Sequence, residues 1–345
     1  MSIRRLASGH YQARYRDPVG RERSGTFRRR GDADRHLREV RVAMDRGEWS
    51  DPRAGRVTLE EWVDTAWELG AQVSPRTDKD RRARMSRHVL PHFGADQIMR
   101  IDREVVQKWV NGLSAAGYAA STVKKIFLTL SSVLRTAMKY DRLVRSPCDL
   151  IELPVISRHP MRFLIPDEVS RLAEAITPHY ELMIRFAAES GLRIGEIGGL
   201  QGGDYQPATR TLSVKRQLLK DTSPPTYSDP KTRAGIRSLT LSPRLGARIE
   251  ELQVFGDDPL FTSTNGRLLN VSNFRRRHFT PAVDNAGLHP LRIHDLRHTA
   301  ISYWIHKEAN VKLVTERAGI ASVRTAFDTY GHLYPNADRE LANRL

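Results

Sequence analysis

One stretch, STVKKIFLTLSSVLRTAMKYDRL, limits the fold of this chain more than any other. Val123, Phe127, Leu130 and Leu134 recur every three or four residues, which predicts a long helix with a single apolar stripe and Ser121 as its N-cap. Such a stripe is stable in water only when other helices cover it. The preceding sequence supplies them. Thr58 stands three residues before Glu61, a capping-box spacing that opens a helix with Trp62, Ala66 and Leu69 on one face. RTDKDRRARMSRHVLPHFG predicts a basic helix ending at Pro91, and DREVVQKWVNGL a helix that starts at Asp102. A helical bundle over residues 56–154 follows.

Two linkers bound that bundle. SDPRAGRVT precedes it, and ELPVISRHPMRFL, rich in proline and β-branched residues, follows it. Before the first linker, HYQARYRDPVGRERSGTFRR alternates apolar and basic residues through Tyr11, Ala13 and Tyr15. It turns at DPVGR and resumes as a second strand ending near Phe27. Ala33, Leu37, Val40 and Met44 then follow helical spacing, with Asp32 as the expected N-cap. After the second linker, helices open at Pro166 and run through YELMIRFAAESGLRIGEIGGL. Strands follow at TLSVKR and SLTLS, and helices then continue towards the end. The expected fold is multidomain and mainly α with small β. It has a small sheet plus helix (1–55), a helical bundle (56–154) and a mixed α+β domain (155–345).

The formal net charge is +16 over 345 residues, which calls for a polyanionic partner, most often nucleic acid. No apolar run is long enough to span a bilayer, so no membrane role is expected. The lone cysteine, Cys148, rules out an internal disulfide and a cysteine-based zinc site. In residues 1–55 every basic residue other than histidine is arginine, the side chain suited to bidentate phosphate and guanine contacts. Arg14, Arg16 and Arg28 in the first block, with Lys124 and Lys125 on the long helix, are the candidate DNA contacts.

Five residues in the last block form a chemical set: Arg193 in SGLRIGEI, Lys231 in PKTRAGIRSL, His294 and Arg297 in HDLRHT, and Tyr330 in TAFDTYGHL. His294 and Arg297 share one helical face by their spacing, and His298 is expected to point elsewhere. Two guanidiniums can clamp the non-bridging oxygens of a phosphodiester and balance the charge of its transition state. A phenol with a pKa of about 10 needs a neighbour to take its proton. A lysine can protonate the departing oxygen. These are the parts for cutting DNA without a metal or a cofactor.

GLRIGEI, PKTRAGIRSLTL, HDLRHT and TAFDTYGHL resemble, in order and spacing, the motifs of the tyrosine recombinases, or phage-type integrases. The likeness extends over the chain: an arm-site-binding domain, a helical core-binding domain and a catalytic domain. It implies that Tyr330 attacks the scissile phosphate, forms a 3′-phosphotyrosyl link and frees a 5′-hydroxyl. It further implies that Arg193 and Arg297 hold the phosphate, that Lys231 is the general acid and that His294 assists proton transfer. Glu196 supports Arg193, and His332 is a second supporting position. Strand exchange in this family needs no ATP and no metal.

The resemblance also implies a homotetramer assembled on core and arm attachment sites of double-stranded DNA. A clamp of two domains around the duplex and a C-terminal tail, NADRELANRL, docked on a neighbouring subunit are expected with it. So are an excisionase, a DNA-bending host factor and a location in the bacterial cytoplasm at the nucleoid. One position departs from the pattern. Where the family usually has LGH, this chain has Ala318, Gly319 and Ile320, and isoleucine has no hydrogen-bond donor. An active but slowed integrase is therefore expected, with a DNA-binding regulator that has lost catalysis as the alternative.

Overall fold

The computed structural model describes residues 1–46, 49, 51, 54–157, 161–219, 225–230 and 232–331. The chain divides into two compact units, Met1–Arg158 and His159–Leu345. Lys231, His332 and the tail 336–345 lie outside the described residues.

The first unit begins with an antiparallel meander of β1 (Ser2–Arg5), β2 (Tyr11–Arg16) and β3 (Glu22–Phe27). The two expected strands are β2 and β3. β1 has too short and polar a sequence to show alternation, and backbone pairing to β2 adds it to the sheet. Asp17 builds the turn between β2 and β3. Its carboxylate accepts the Val19 and Arg21 amides at 3.2 and 2.8 Å and the Arg23 guanidinium at 3.1 Å. Ala13 and Tyr15 face inward under α1 (Arg30–Asp45), which buries Ala33 and Val40. Asp32 is not the N-cap. The cap is Arg29, and Asp32 sits in the first turn, where its charge still favours the helix dipole.

The bundle contains α2 (Leu59–Leu69), α3 (Pro75–Arg84), α4 (Leu90–Phe93), α5 (Arg103–Ala115) and α6 (Ala120–Lys139). Thr58 and Glu61 form the expected reciprocal cap, and Asp102 caps α5. Three expectations are corrected. Leu69 is 39% exposed, because the buried stripe of α2 runs through Leu59, Trp62, Val63, Ala66 and Trp67. Ser121 lies inside α6, whose N-cap is Ala119 without a side-chain bond. Helix also continues past Pro91. A wide π turn, Met85–Val89, closes with the Leu90 amide bonded to the Met85 carbonyl and leads into α4. The extra residue in that turn relieves the clash of the proline ring with the preceding turn. The indole N–H of Trp62 donates to the Val133 carbonyl of α6 at 3.2 Å, so the two main helices are joined by a buried polar contact. Ile126, Leu130 and Leu134 of α6 are fully buried beside it.

The second unit opens with α7 (Pro166–Ala175), α8 (Glu181–Ser190) and the single turn α9 (Ile194–Ile197). β4 (Tyr205–Gln206), β5 (Thr211–Val214) and β8 (Arg237–Thr240) form an antiparallel sheet in that order. β6 (Gln217–Leu218) and β7 (Tyr227–Ser228) make a separate two-stranded ladder between β5 and β8 in sequence. α10 (Pro243–Glu250), α11 (Val271–Phe274), α12 (Thr280–Asn285), α13 (Ile293–His306), α14 (Val311–Ala318) and α15 (Val323–Tyr330) complete it. A second π turn, Arg275–Phe279, precedes Pro281 as the first precedes Pro91. The large core gathers Leu172, Phe186, Leu212, Leu239 and Phe274. A smaller cluster holds Ala300, Ile301, Trp304, Val314, Ala318 and Tyr330. Tyr330 is thus fixed by packing at the end of the last described helix. Among the described residues no helix is long and apolar enough to cross a membrane.

Candidate active site

Two left-handed glycines place the two arginines. Gly191 ends α8 at φ 64°, which lets the chain reverse and deliver Arg193 to the N-cap of α9. The Gly191 carbonyl accepts a 2.7 Å bond from the guanidinium of Arg297 on α13. Gly319 ends α14 at φ 60°, and its carbonyl accepts a 3.2 Å bond from Arg193. Each arginine keeps donors in reserve beyond its tether.

Glu196 ties Arg193 down further. Its carboxylate takes the Arg193 amide at 2.9 Å and guanidinium at 2.7 Å, closing the turn of α9 around itself. Its other partner is Arg237, which reading the sequence missed. Arg237 donates to Glu196 at 3.0 Å, to the Arg317 carbonyl at 2.7 Å and to the Gly235 carbonyl at 3.1 Å. Strand alternation held the signal. Arg237 points to the same side of β8 as the buried Leu239, and an inward arginine needs a buried carboxylate. Burial pushes the pKa of Glu196 up, but bonding to Arg237 and the charges of Arg237 and Arg193 outweigh it, so the carboxyl stays below its ordinary range. Arg297 is almost fully buried. Desolvation and the nearby Arg193 push its pKa down to about 10, with Glu196 opposing, and it remains a cation at neutral pH.

α13 carries three site residues. Its start is fixed by Asp295, which accepts the Arg292 amide and guanidinium, both at 2.7 Å. His294, Arg297 and His298 follow at i, i+3 and i+4, so all three share one face. His298 therefore does not point elsewhere as expected. Its Nδ1 lies 2.6 Å from the Tyr330 hydroxyl, and its ring meets that of His294 edge-on at 4.8 Å. The signal was legible in HDLRH, where the last histidine stands four residues after the first. His294 as a whole residue is exposed. Partial desolvation of its ring, then the neighbouring His298, Arg297 and Arg193, push its pKa down to about 4.

Burial raises the pKa of Tyr330, and the positive charges of Arg297 and Arg193 act against that rise. The phenol is thus a protonated group in a cationic site. Ile320 is half-buried against the small cluster that includes Trp304 and Tyr330, and it offers packing in place of a donor.

The candidate DNA contacts lie in the first unit. Arg14 pairs with Glu22 on the outward face of β2, opposite the face that holds Ala13 and Tyr15. Arg16 shares that face and is exposed, as is Arg28 after β3. Register places Arg4 opposite Gln12 on the same outward face, a cation that reading the sequence did not single out. Lys124 and Lys125 are exposed on α6.

Comparison with known proteins agrees with this geometry. Residues 162–337 match the phage integrase family, and residues 2–46 match the phage integrase N-terminal domain. The ICEBs1 integrase of Bacillus subtilis is 25% identical over the whole of this chain and 99% of its own. A putative prophage phiRv2 integrase of Mycobacterium tuberculosis is 27% identical over 99% of this chain and 94% of its own. The Tn1549 transposon integrase, solved in complex with a circular intermediate DNA, superposes with a TM-score of 0.73 at 19% identity. It covers 83% of this chain and 99% of that one. A lambda integrase dimer bound to a core site gives 0.63 at 18% identity over 98% of this chain and 95% of that one. With just over half of its length matched by one family model and its N-terminal residues by a second, the chain belongs to the phage integrase family.

Proposed function

We propose that this tyrosine site-specific recombinase cleaves DNA with Tyr330 as nucleophile and rejoins it after strand exchange. The observation that carries the reading is the convergence of Arg193, Arg297 and Tyr330. Both cations act on the phenol, and both are anchored by glycine carbonyls. Arg193 and Arg297 hold the scissile phosphate and stabilise its pentavalent transition state. Tyr330 displaces the 5′-oxygen and leaves a 3′-phosphotyrosyl bond that conserves the phosphodiester energy. Lys231 protonates the departing oxygen, His294 assists at the phosphate, and Glu196 holds Arg193 in place. His332 is a further supporting residue.

The same reading takes the outward sheet face of Arg14 and Arg16, followed by Arg28, as the arm-site contact. Lys124 and Lys125 contact core-site phosphates. A tetramer on two duplexes supplies the four active sites that recombination needs. Solved relatives support this: one lambda integrase structure is a dimer on a core site, another a tetramer on a Holliday junction. Excision involves an excisionase and a DNA-bending host factor, and the protein works at the nucleoid in the bacterial cytoplasm. The C-terminal tail docks on a neighbouring subunit.

A nicked suicide substrate tests the central step. Wild type is expected to form a covalent complex resistant to SDS, and Tyr330→Phe none. No complex with wild type favours the second reading, a DNA-binding regulator without catalysis, whose one support is the apolar Ile320.

A further inference from the structure

We propose that His298 is the group that takes the proton of Tyr330 as the phenol attacks the phosphate. The inference rests on Tyr330 being the nucleophile. The contact is short and direct, 2.6 Å between His298 Nδ1 and the Tyr330 hydroxyl. Both side chains are buried and are held by separate elements. His298 is the sixth residue of α13, and Tyr330 closes α15 within the apolar cluster of Trp304, Val314 and Ala318. The pair is therefore pre-positioned in the protein before DNA arrives.

The protonation states fit the role. Burial lowers the pKa of His298, with Arg292 and Arg297 adding to the shift and Asp295 opposing it. The groups facing it are His294, Arg292, Asp295 and Arg297 along α13 and Tyr330 from α15. The imidazole is consequently neutral at pH 7. In the tautomer with its proton on Nε2, Nδ1 accepts the phenolic O–H. His294 lies against His298 rather than against the phenol, which leaves it for the phosphate.

The step balances. A lone pair of the Tyr330 oxygen forms the new bond to phosphorus, and the phenolic proton passes to His298 Nδ1. The bond from phosphorus to the 5′-oxygen breaks, and that oxygen takes a proton from Lys231. In the reverse half-reaction a 5′-hydroxyl gives its proton back to Lys231 as its oxygen bonds phosphorus, the bond from phosphorus to the tyrosine oxygen breaks, and His298 returns its proton to the phenolate. The added charge on His298 is transient and is offset by the negative charge that gathers on the phosphate. Position 320 carries no imidazole, and among the described residues the hydrogen bond of the Tyr330 hydroxyl is the one to His298 Nδ1.

The test is single-turnover formation of the covalent complex on a nicked substrate, followed against pH for wild type, His298→Gln and His298→Asn. Asparagine places an amide oxygen near the position of Nδ1 and so retains an acceptor for the phenol without a titrating nitrogen, while glutamine matches the length of the imidazole. The expected loss is about 10²-fold at pH 7, the usual size of a general-base contribution. The loss should shrink steadily only as pH rises beyond the ordinary phenol range of about 10, because burial raises the pKa of Tyr330 and delays its unaided ionisation. The loss should persist on a substrate whose 5′-bridging oxygen is replaced by sulfur. Sulfur leaves without protonation, so that substrate relieves a general-acid defect and not a general-base one. Unchanged rates, or a loss that is the same at every pH, would overturn the proposal. If both variants unfold, nitrogen-15 NMR of wild type and Tyr330→Phe decides. A His298 Nδ1 resonance unmoved by removal of the phenol hydroxyl overturns it, and a shift towards the free-acceptor position supports it. Failure of wild type to trap at all counts instead against Tyr330 as nucleophile.

Discussion

Arg237 and Glu196 form a buried ion pair with 3.0 Å between Nη2 and Oε2, and the same carboxylate holds Arg193 at 2.7 Å. Glu196 therefore links strand β8 to Arg193, the arginine proposed above to hold the phosphate. Removing Arg237 leaves a buried carboxylate with one partner, and breaking such a pair costs about 3–5 kcal/mol. Arg237→Ala is expected to lower stability by that order in chemical denaturation. Arg237→Lys should recover little of it, because one ammonium cannot serve Glu196 and the Arg317 and Gly235 carbonyls with the same planar geometry. Equal stability of Arg237→Lys and wild type would disprove this.

A pH window follows from the depressed groups. As pH falls below about 6.5, the ordinary pKa of histidine, unfolded chain takes up protons at His294 and His298. The folded protein resists, since burial lowers both, His294 to about 4. The unfolded state then binds more protons, so stability falls as pH drops through this range and the His294 contribution is spent below about 4. Glu196 extends the loss to lower pH, because its depressed carboxyl stabilises the fold above the ordinary carboxylate range and ceases to once protonated. Urea midpoints measured across this range should show the decline, and His294→Asn should flatten its upper part. Specific DNA should raise the NMR titration midpoint of His294, since a phosphate offsets Arg193 and Arg297.

Gly319 is the most constrained glycine of the site. Its φ is 60°, and a Cβ there would lie 2.7 Å from the Arg237 guanidinium and 2.9 Å from the Ala234 carbonyl. The left-handed conformation alone costs an alanine about 1–2 kcal/mol. The contact would also displace the carbonyl that tethers Arg193. Gly319→Ala is expected to lose thermal stability and to lose covalent-complex formation by a larger factor than DNA affinity. Comparable losses in both would show that Gly319 acts only through folding.

How far these relationships could be read beforehand depends on the distance over which each is set. The capping box at Thr58 and Glu61 and the N-cap at Asp102 are local, and the spacing of the residues was enough. That Arg193, His294, Arg297 and Tyr330 come together could be anticipated from their motifs and order, and in the fold their charges do act on one another. Helix ends were read less well. Pro91, expected to end its helix, does not, since a π turn before it makes room for the ring, as another does before Pro281. Arg237 and His298 were missed for opposite reasons. Arg237 gains its meaning from Glu196, 41 residues away. His298 had its signal in plain view as the i+4 neighbour of His294, but its partner Tyr330 is 32 residues away and is brought to it by α14, which packs against both α13 and α15.

Ile320 gives the sharpest test of how this member of the family differs. It packs against the cluster that contains Tyr330 and Trp304, directly after the glycine that tethers Arg193. If Arg193 holds the phosphate as proposed, a histidine next to its Gly319 tether would add a donor for it. One such donor is worth about 10²–10³ in rate. Ile320→His is therefore expected to speed single-turnover cleavage towards that range, less the cost of a polar ring in an apolar contact, which thermal melting measures separately. A variant that melts as wild type does but cleaves no faster would show that the site already meets the phosphate's need for donors, and that isoleucine here is an adaptation rather than a loss.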